Sequence, residues 1–389
     1  MVEIEERGII SLIGFEMTEE QKKLVVKIRD ILDAEVRPYV LDMDGRCKDS
    51  FDWGFVEVLA RNNLIAPIIP KEYGGRGLSY VSLALVIEEI AAACAGLAAC
   101  MVGTLYAILP IIIGGTREQK EQYLPVFVSQ KPALASFALT EPKGGSDIET
   151  LETTYQYKAE GYSINGIKDY VINGAVADFV TVYANSKQGK QRCTYQFFIV
   201  PKGQFRVNKI RKTLGINYSN TSQLVFDNTT VTEKNIIGNY DSAYLLLNQT
   251  LDLGRALIGA IEVGIARAAY ELVLKYAQER EQFGRPIYSN QGISFPIAKM
   301  ATEIDAARFM VWRACSFIDQ EGDYTQASSM AKVFASKVGQ NVTSTAIDIM
   351  GAAGYIDDNP LNVYFRDSKV CSIVGGTDNI QQMIIASLL

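Results

Sequence analysis

Residues Phe137 to Asp147 read Phe-Ala-Leu-Thr-Glu-Pro-Lys-Gly-Gly-Ser-Asp. A strand-like start runs into Thr140-Glu141-Pro142, and a glycine-rich turn then presents Ser146. Such a turn exposes backbone N–H groups and lets a ligand approach the main chain closely. The Thr140 and Ser146 hydroxyls add to that polarity. On its own the segment fits an ordinary surface turn as well as it fits a ligand loop.

Around this stretch, from Lys131-Pro132 to about Tyr240, the pattern is β. Tyr155 and Tyr157, then Tyr162 and Ile164, alternate with polar residues on either side of Glu160-Gly161. Ala177–Ala184, Tyr195–Val200 and Gln223–Phe226 are further β-rich runs. Closely spaced strands without intervening helices predict a small barrel or sandwich. Both flanks read as helical. Thr18-Glu19-Glu20-Gln21 has the capping-box pattern ahead of an apolar-periodic run to about Val40, and Phe51–Asn62 predicts a second helix. Thr116-Arg117-Glu118-Gln119 repeats the box and opens a helix to about Val128. Beyond the β region, Ser242–Glu279, Gln291–Glu321 and Thr325–Met350 are long amphipathic stretches, with a short one after Thr377. Long helices with short connections predict an antiparallel bundle. The expected fold class is therefore α+β and multi-domain. It has a helical domain over residues 1–130, a small β-barrel over 131–240 and a four-helix-bundle-like domain over 241–389.

Composition narrows the chemistry. The 389 residues contain no His, which excludes Ser-His-Asp and Cys-His nucleophile systems and His-ligated metals; no metal is expected. Net charge is −6 and no Lys/Arg run stands out, so nucleic acid is not an expected partner. Cys47, Cys94, Cys100, Cys193, Cys315 and Cys371 form no CxxC pair and read as free thiols in a reducing cytoplasm. The first residues, Met-Val-Glu-Ile-Glu-Glu-Arg, are acidic and lack a signal-peptide layout. Ile90–Thr116 carries no charge and is long enough to cross a bilayer. It follows Glu88-Glu89, is rich in Ala and Gly, and contains Pro110, which is expected to break a single span. Buried helices are therefore expected there, not a membrane span.

Three more segments could bear chemistry. Arg280-Glu-Gln-Phe-Gly-Arg285-Pro-Ile ends one long helix, with Gln291 opening the next; Arg280 could reach a phosphate, although Arg suits a helix C-terminus anyway. Gly375-Gly376-Thr377-Asp378-Asn379 opens the last helix, which makes it either an anion site or a simple cap. Met350-Gly-Ala-Ala-Gly-Tyr355 is a small-residue loop that also fits tight helix packing. No GxGxxG fingerprint or P-loop is present.

Together, and in this order, these motifs resemble the acyl-CoA dehydrogenase family over nearly the whole chain. Phe137–Asp147 is similar to its FAD-binding signature. Lys168-Asp-Tyr-Val-Ile-Asn-Gly174 is similar to the strand whose aromatic residue covers the flavin. Arg280–Ile287 with Gln291 is similar to the segment that reaches a neighbouring subunit's FAD. Met350–Tyr355, Tyr364–Asp367 and Gly376-Thr377 are similar to the C-terminal signature. The resemblance implies FAD as cofactor and a homo-oligomer, dimer or tetramer. Phe137, Leu139, Thr140, Gly145, Ser146, Tyr170 and Ile172 would contact the flavin and pyrophosphate. Arg280, Phe283, Gln291, Asp348, Gly351 and Ala352 would hold the adenosine diphosphate half. Thr377 and Asn379 would lie near FAD at a helix N-terminus. Ser146, Arg255, Gly375 and Gly376 would meet the substrate. That substrate would be an acyl thioester on CoA or an acyl-carrier protein, with electrons leaving through an electron-transfer flavoprotein.

The departures from the family pattern are as informative. The usual base is a Glu just before Gly-Thr, where this chain has Gly375. The alternative base position, on the helix that begins the last domain, is Gly254. Losing a positioned base costs about 10²- to 10⁴-fold. Ile172 stands where Thr is common, Tyr170 where Trp is common, and Asp348 where Gln is common. Glu88, Glu89, Asp252, Tyr364 and Asp378 are the substitutes considered for the base. The resemblance points to FAD-dependent α,β-dehydrogenation of an acyl thioester with a displaced or missing base, in specialised biosynthesis. Also open are an oxygen-using oxidase or monooxygenase, a catalytically inactive FAD-binding homologue and an FAD-dependent non-redox reaction.

Overall fold

Two capping boxes shape the N-terminal helices. A computed structural model describes residues 16–46, 51–159, 161–186, 194–239 and 241–389. The first ten residues, Cys47, Glu160, Cys193 and Tyr240 lie outside the described residues. Helix α1 (Glu19–Glu35) opens with Thr18 and Gln21 bonding each other's backbone N–H. After α2 (Val40–Arg46) and α3 (Gly54–Arg61) come α4 (Tyr80–Ala93) and α5 (Ala95–Gly114). Helix α6 (Arg117–Tyr123) opens with the second reciprocal pair, Thr116 and Gln119.

The uncharged stretch is two helices, as expected, but the break is not at Pro110. It falls at Cys94, whose backbone is extended, while Pro110 sits inside α5. A proline within a helix costs about 3 kcal/mol. Here the helix is buried on every side from Ala95 to Ile111, and that burial outweighs the lost bond. Its apolar window is 83% buried within the protein.

The β region follows: β1 (Ala135–Ala138), β2 (Thr154–Lys158), β3 (Gly161–Ile172), β4 (Phe179–Ser186), β5 (Tyr195–Pro201), β6 (Arg206–Ile210), β7 (Thr221–Val231) and β8 (Ile236–Ile237). The sheet order is β6-β7-β3-β2-β4-β5-β8, with β1 parallel beside β4. Strands β6 and β8 are additional to the strands read from the sequence. A small core of Tyr155, Tyr162, Ile164, Phe198 and Phe226 fills this layer, and a larger one joins it to the helices.

Helix α7 (Ala243–Glu279) leads through a β9–β10 hairpin (Glu281–Gln282, Arg285–Pro286) into α8 (Gln291–Asp319) and α9 (Thr325–Met350). Then come α10 (Ala352–Tyr355), α11 (Pro360–Cys371) and α12 (Asp378–Ser387). The small-residue segment is thus partly helical, and Gly354 supplies its tight contact: a Cβ there would stand 2.9 Å from Met350 Cβ. The long helix α7 packs against α4, α5, α8 and α9. It meets α4 tightly at Gly264, where a Cβ would lie 2.8 Å from Ala91 Cβ and closer still to the Glu88 carbonyl oxygen. Gly264→Val should therefore destabilise the protein by about 1–3 kcal/mol or more, read as a lower Tm in thermal denaturation.

Candidate active site

The glycine-rich turn is held from behind by a buried ion pair. Lys168 Nζ, fully buried, donates to Leu139 O at 2.8 Å and to Glu141 at 2.9 Å. Glu141 also accepts the Thr153 N–H at 2.9 Å. Burial pushes the Lys168 ammonium down to about 8, against the pull of Glu141. Asp169 N–H donates to Thr140 O at 2.9 Å, so β3 grips both sides of Thr140. The Gly145-Ser146 tip is left exposed.

One residue on, β3 bulges against β7 between Lys168 and Val171. Tyr170 sits there with φ +57°, and its ring is 58% exposed. A bulge re-aims a side chain in this way. The Arg211 guanidinium lies 5.2 Å from the ring centroid and is ion-paired with buried Asp169. At the end of β3, buried Asn173 donates to Cys100 O at 2.8 Å and Ala135 O at 3.1 Å, binding α5, β1 and β3 together. Ile172 rests against α5: a Cβ on Gly103 would come within 2.8 Å of its Cγ2.

This knot places Tyr106, a residue that reads in sequence as one more member of the apolar run. Its ring centroid is 5.8 Å from that of Phe137. On its other side are both glycines at the expected base positions. A Cβ on Gly254 would overlap the Tyr106 ring. A Cβ on Gly375 would point at the phenol, 3.0 Å from Tyr106 Oη, and at Ile258. The hydroxyl is buried and has no hydrogen-bond partner. Burial raises its pKa, partly offset by Arg255. Arg255 Nε donates to Gly375 O at 3.2 Å, and its guanidinium pairs with Asp252.

None of the substitute carboxylates is free to take the base's place. Glu88 is paired with Arg267 at 3.1 Å and Arg308 at 3.0 Å. Glu89 pairs with Arg267 at 2.9 Å and Arg29 at 2.8 Å. Burial works against the Glu89 charge, and the two arginines still hold it below its ordinary value. Asp252 accepts from Arg255 and from Thr325 Oγ1, the latter at 2.7 Å. Asp378 accepts from Lys332 at 2.8 Å and Ser336 at 3.0 Å. Tyr364 is buried, which raises its pKa.

The turn from Gly375 to Thr377 is fixed by contacts inside the bundle. Gly375 and Gly376 have φ of +67° and +91°, a region that favours glycine. Lys332 Nζ, fully buried, donates to Gly376 O at 3.1 Å, and Gln381 caps both glycine carbonyls. Thr377 caps α12, and Asn379 lies exposed on its first turn. The remaining predicted residues lie elsewhere. Arg280, Phe283, Gln291, Asp348, Gly351 and Ala352 are all exposed, Phe283 at 99%. Along α7, Arg280 is roughly 39 Å from Gly254 at the helical rise per residue.

The geometry fits FAD near Phe137, Thr140, Ser146 and Tyr170: an exposed, clamped aromatic beside an open glycine-rich turn. Models of the acyl-CoA dehydrogenase N-terminal, middle and C-terminal domains match residues 18–131, 136–229 and 244–389. The chain belongs to the acyl-CoA dehydrogenase family. An acyl-CoA dehydrogenase of Bacillus subtilis is 37% identical over 96% of this chain and 98% of its own. Butyryl-CoA dehydrogenase from Megasphaera elsdenii superposes with a TM-score of 0.92 at 31% identity, covering 96% of this chain and 99% of that one. The prolyl acyl carrier protein oxidase AnaB gives 0.89 at 26%, over 96% and 99%. This acyl-CoA dehydrogenase family member is an FAD-dependent oxidoreductase.

Two expectations follow. Gly254→Glu alone should destabilise the fold by a few kcal/mol (~1–3) through overlap with Tyr106, and Tyr106→Ala in the same chain should relieve it. Thermal denaturation of the single and double variants decides this. Second, Glu262 on α7 is fully buried. Burial raises its pKa well above normal, against Cys371 and Lys332. The unfolded chain ionises Glu262 from about pH 4.3 upward while the folded one keeps it neutral, so stability falls as pH rises through this window. Tm should drop less between pH 5 and 8 in Glu262→Gln than in the parent.

Proposed function

We propose that this protein carries out α,β-dehydrogenation chemistry on an acyl thioester without a carboxylate base. One observation supports this above others: a phenol, not a carboxylate, occupies the space between the two base positions. Phe137, Leu139, Thr140, Gly145, Ser146, Tyr170 and Ile172 would hold the flavin half of FAD. Thr377 and Asn379 would approach it from the start of α12. Arg280, Phe283, Gln291, Asp348, Gly351 and Ala352 would hold the adenosine half of a second subunit's FAD. The ~39 Å along α7 supports that division, since one chain does not fold Arg280 back to its own Gly254. Bound FAD supplies the two-electron redox step. Arg255 would fix the Gly375 carbonyl, and the side-chain-free Gly375-Gly376 turn would admit the thioester beside Ser146. Electrons would pass to an electron-transfer flavoprotein, in the cytoplasm. The likeness to AnaB supports a carrier-protein thioester, and hence specialised biosynthesis, as a candidate beside CoA.

A second reading, an oxygen-using oxidase on the same fold, is favoured by Ile172, whose aliphatic side chain donates no hydrogen bond. Anaerobic titration of the bound flavin with short acyl-CoA and acyl-carrier thioesters separates these readings. Bleaching of the oxidised bands is expected. Spectral perturbation without bleaching by any thioester would overturn the dehydrogenation reading, and stoichiometric oxygen uptake would then establish the oxidase.

A further inference from the structure

We propose that Tyr106 is the catalytic proton carrier of this site, and that it suits the site to protonating an enoyl thioester at Cα better than to deprotonating a saturated one. The inference rests on the acyl-thioester reading above.

The geometry carries it. A side chain on Gly375 would point at Tyr106 Oη, and one on Gly254 would overlap the ring. The phenol thus fills the space of a side chain on Gly254 and borders that of one on Gly375, which Ile258 approaches more closely still, at 2.5 Å. Its hydroxyl is buried and has no hydrogen-bond partner among the described residues, so no described group holds its proton. The charged groups that act on it are Arg255 and Asp252, both on α7 and paired with each other. The other neighbours, Phe137, Ile258 and the glycine turn, are uncharged.

Chemistry then sets the preferred direction. A carboxylate with an ordinary pKa near 4 is ionised at pH 7 and ready to accept a proton. A phenol with an ordinary pKa near 10 is protonated there and ready to give one. Burial of Tyr106 moves it further the same way. In the favoured direction the Oη–H bond breaks, a Cα–H bond forms and the Cα=Cβ π bond is consumed. Reduced FAD, when bound, would supply the hydride that forms the Cβ–H bond, and an electron-transfer flavoprotein or a comparable low-potential donor would return the two electrons. Water reprotonates the phenolate, which Arg255 stabilises meanwhile. The reverse reaction needs the phenolate first, so it should speed up roughly tenfold per pH unit below the phenol pKa.

The test uses the FAD-loaded protein and Tyr106→Phe, which keeps the ring and removes the proton. With flavin held reduced in D2O, the wild type should exchange the α-hydrogens of bound butyryl-CoA slowly at pH 7 and faster as pH rises, followed by mass spectrometry, and Tyr106→Phe should slow this by about 10²-fold or more at each pH. Butyryl-CoA affinity, measured calorimetrically, should be unchanged. Reduction of crotonyl-CoA should be nearly flat from pH 6 to 8, whereas butyryl-CoA oxidation should climb. Equal binding with equal exchange in both proteins would overturn the role of Tyr106. A failure of either protein to bind any thioester would instead sink the underlying acyl-thioester reading. If Tyr106→Phe does not fold, Gly254→Glu with Tyr106→Ala carries the test. Its butyryl-CoA oxidation should become nearly pH-independent from 6 to 8, and an unchanged upward slope would overturn the proposal.

Discussion

The close approach of α5 to everything around it is the constraint on which the site depends. Glycine at position 96 lets Tyr218 press against the helix, and Gly103 lets Ile172 do the same about two turns along on the same face. Thr104 and the Cys100 carbonyl take up Asn173, and Tyr106 reaches Phe137. A helix of larger residues would hold the sheet and α7 further away, since close-packed interiors do not absorb even one extra methylene freely. The Tyr106 phenol, the Phe137 ring, Gly254 and Gly375 meet because α5 is thin.

Electrostatics explains why that meeting point contains no carboxylate. Burying an unpaired carboxylate is costly, so buried acids are either paired or neutral. Glu88, Glu89 and Asp378 pair with Arg or Lys of other helices and brace them against one another, while Asp252 pairs with Arg255 within α7. Glu262 takes the other course and stays neutral. Freeing any of the paired acids to reach a substrate would strand a buried cation. The phenol avoids this conflict. It is uncharged at rest, sits among apolar neighbours and needs no resident counter-ion.

Much of this fold was legible in the sequence because its signals are local. The Thr18 and Thr116 capping boxes and the glycines of the turn after Thr140 each act within a few residues. The site's supports were not legible, because they join residues far apart in the chain. Lys168 meets Glu141 across a strand and a turn, and neither looks buried from its neighbours. Asn173 ties a strand end to a helix some seventy positions earlier. Pro110 misleads for the same reason: a local helix breaker is overruled by burial on all sides. Tyr106 is the sharpest case. Its sequence context is wholly apolar, and only the two missing side chains at Gly254 and Gly375 hint that something else fills their space.

That reciprocity bears on how such a site changes. The Gly254 position and the Tyr106 ring exclude each other, while Gly375 also needs its left-handed backbone. A carboxylate at residue 254 requires a smaller residue at 106. A carboxylate at residue 375 must tolerate φ near +67° and displace Ile258 as well. Single steps from the phenol arrangement to either carboxylate arrangement therefore pass through a strained or overpacked intermediate. The phenol is held in place by packing as much as by any chemical advantage. A carboxylate at residue 254 is accordingly a two-residue change in packing, with residue 106 made smaller before the carboxylate arrives.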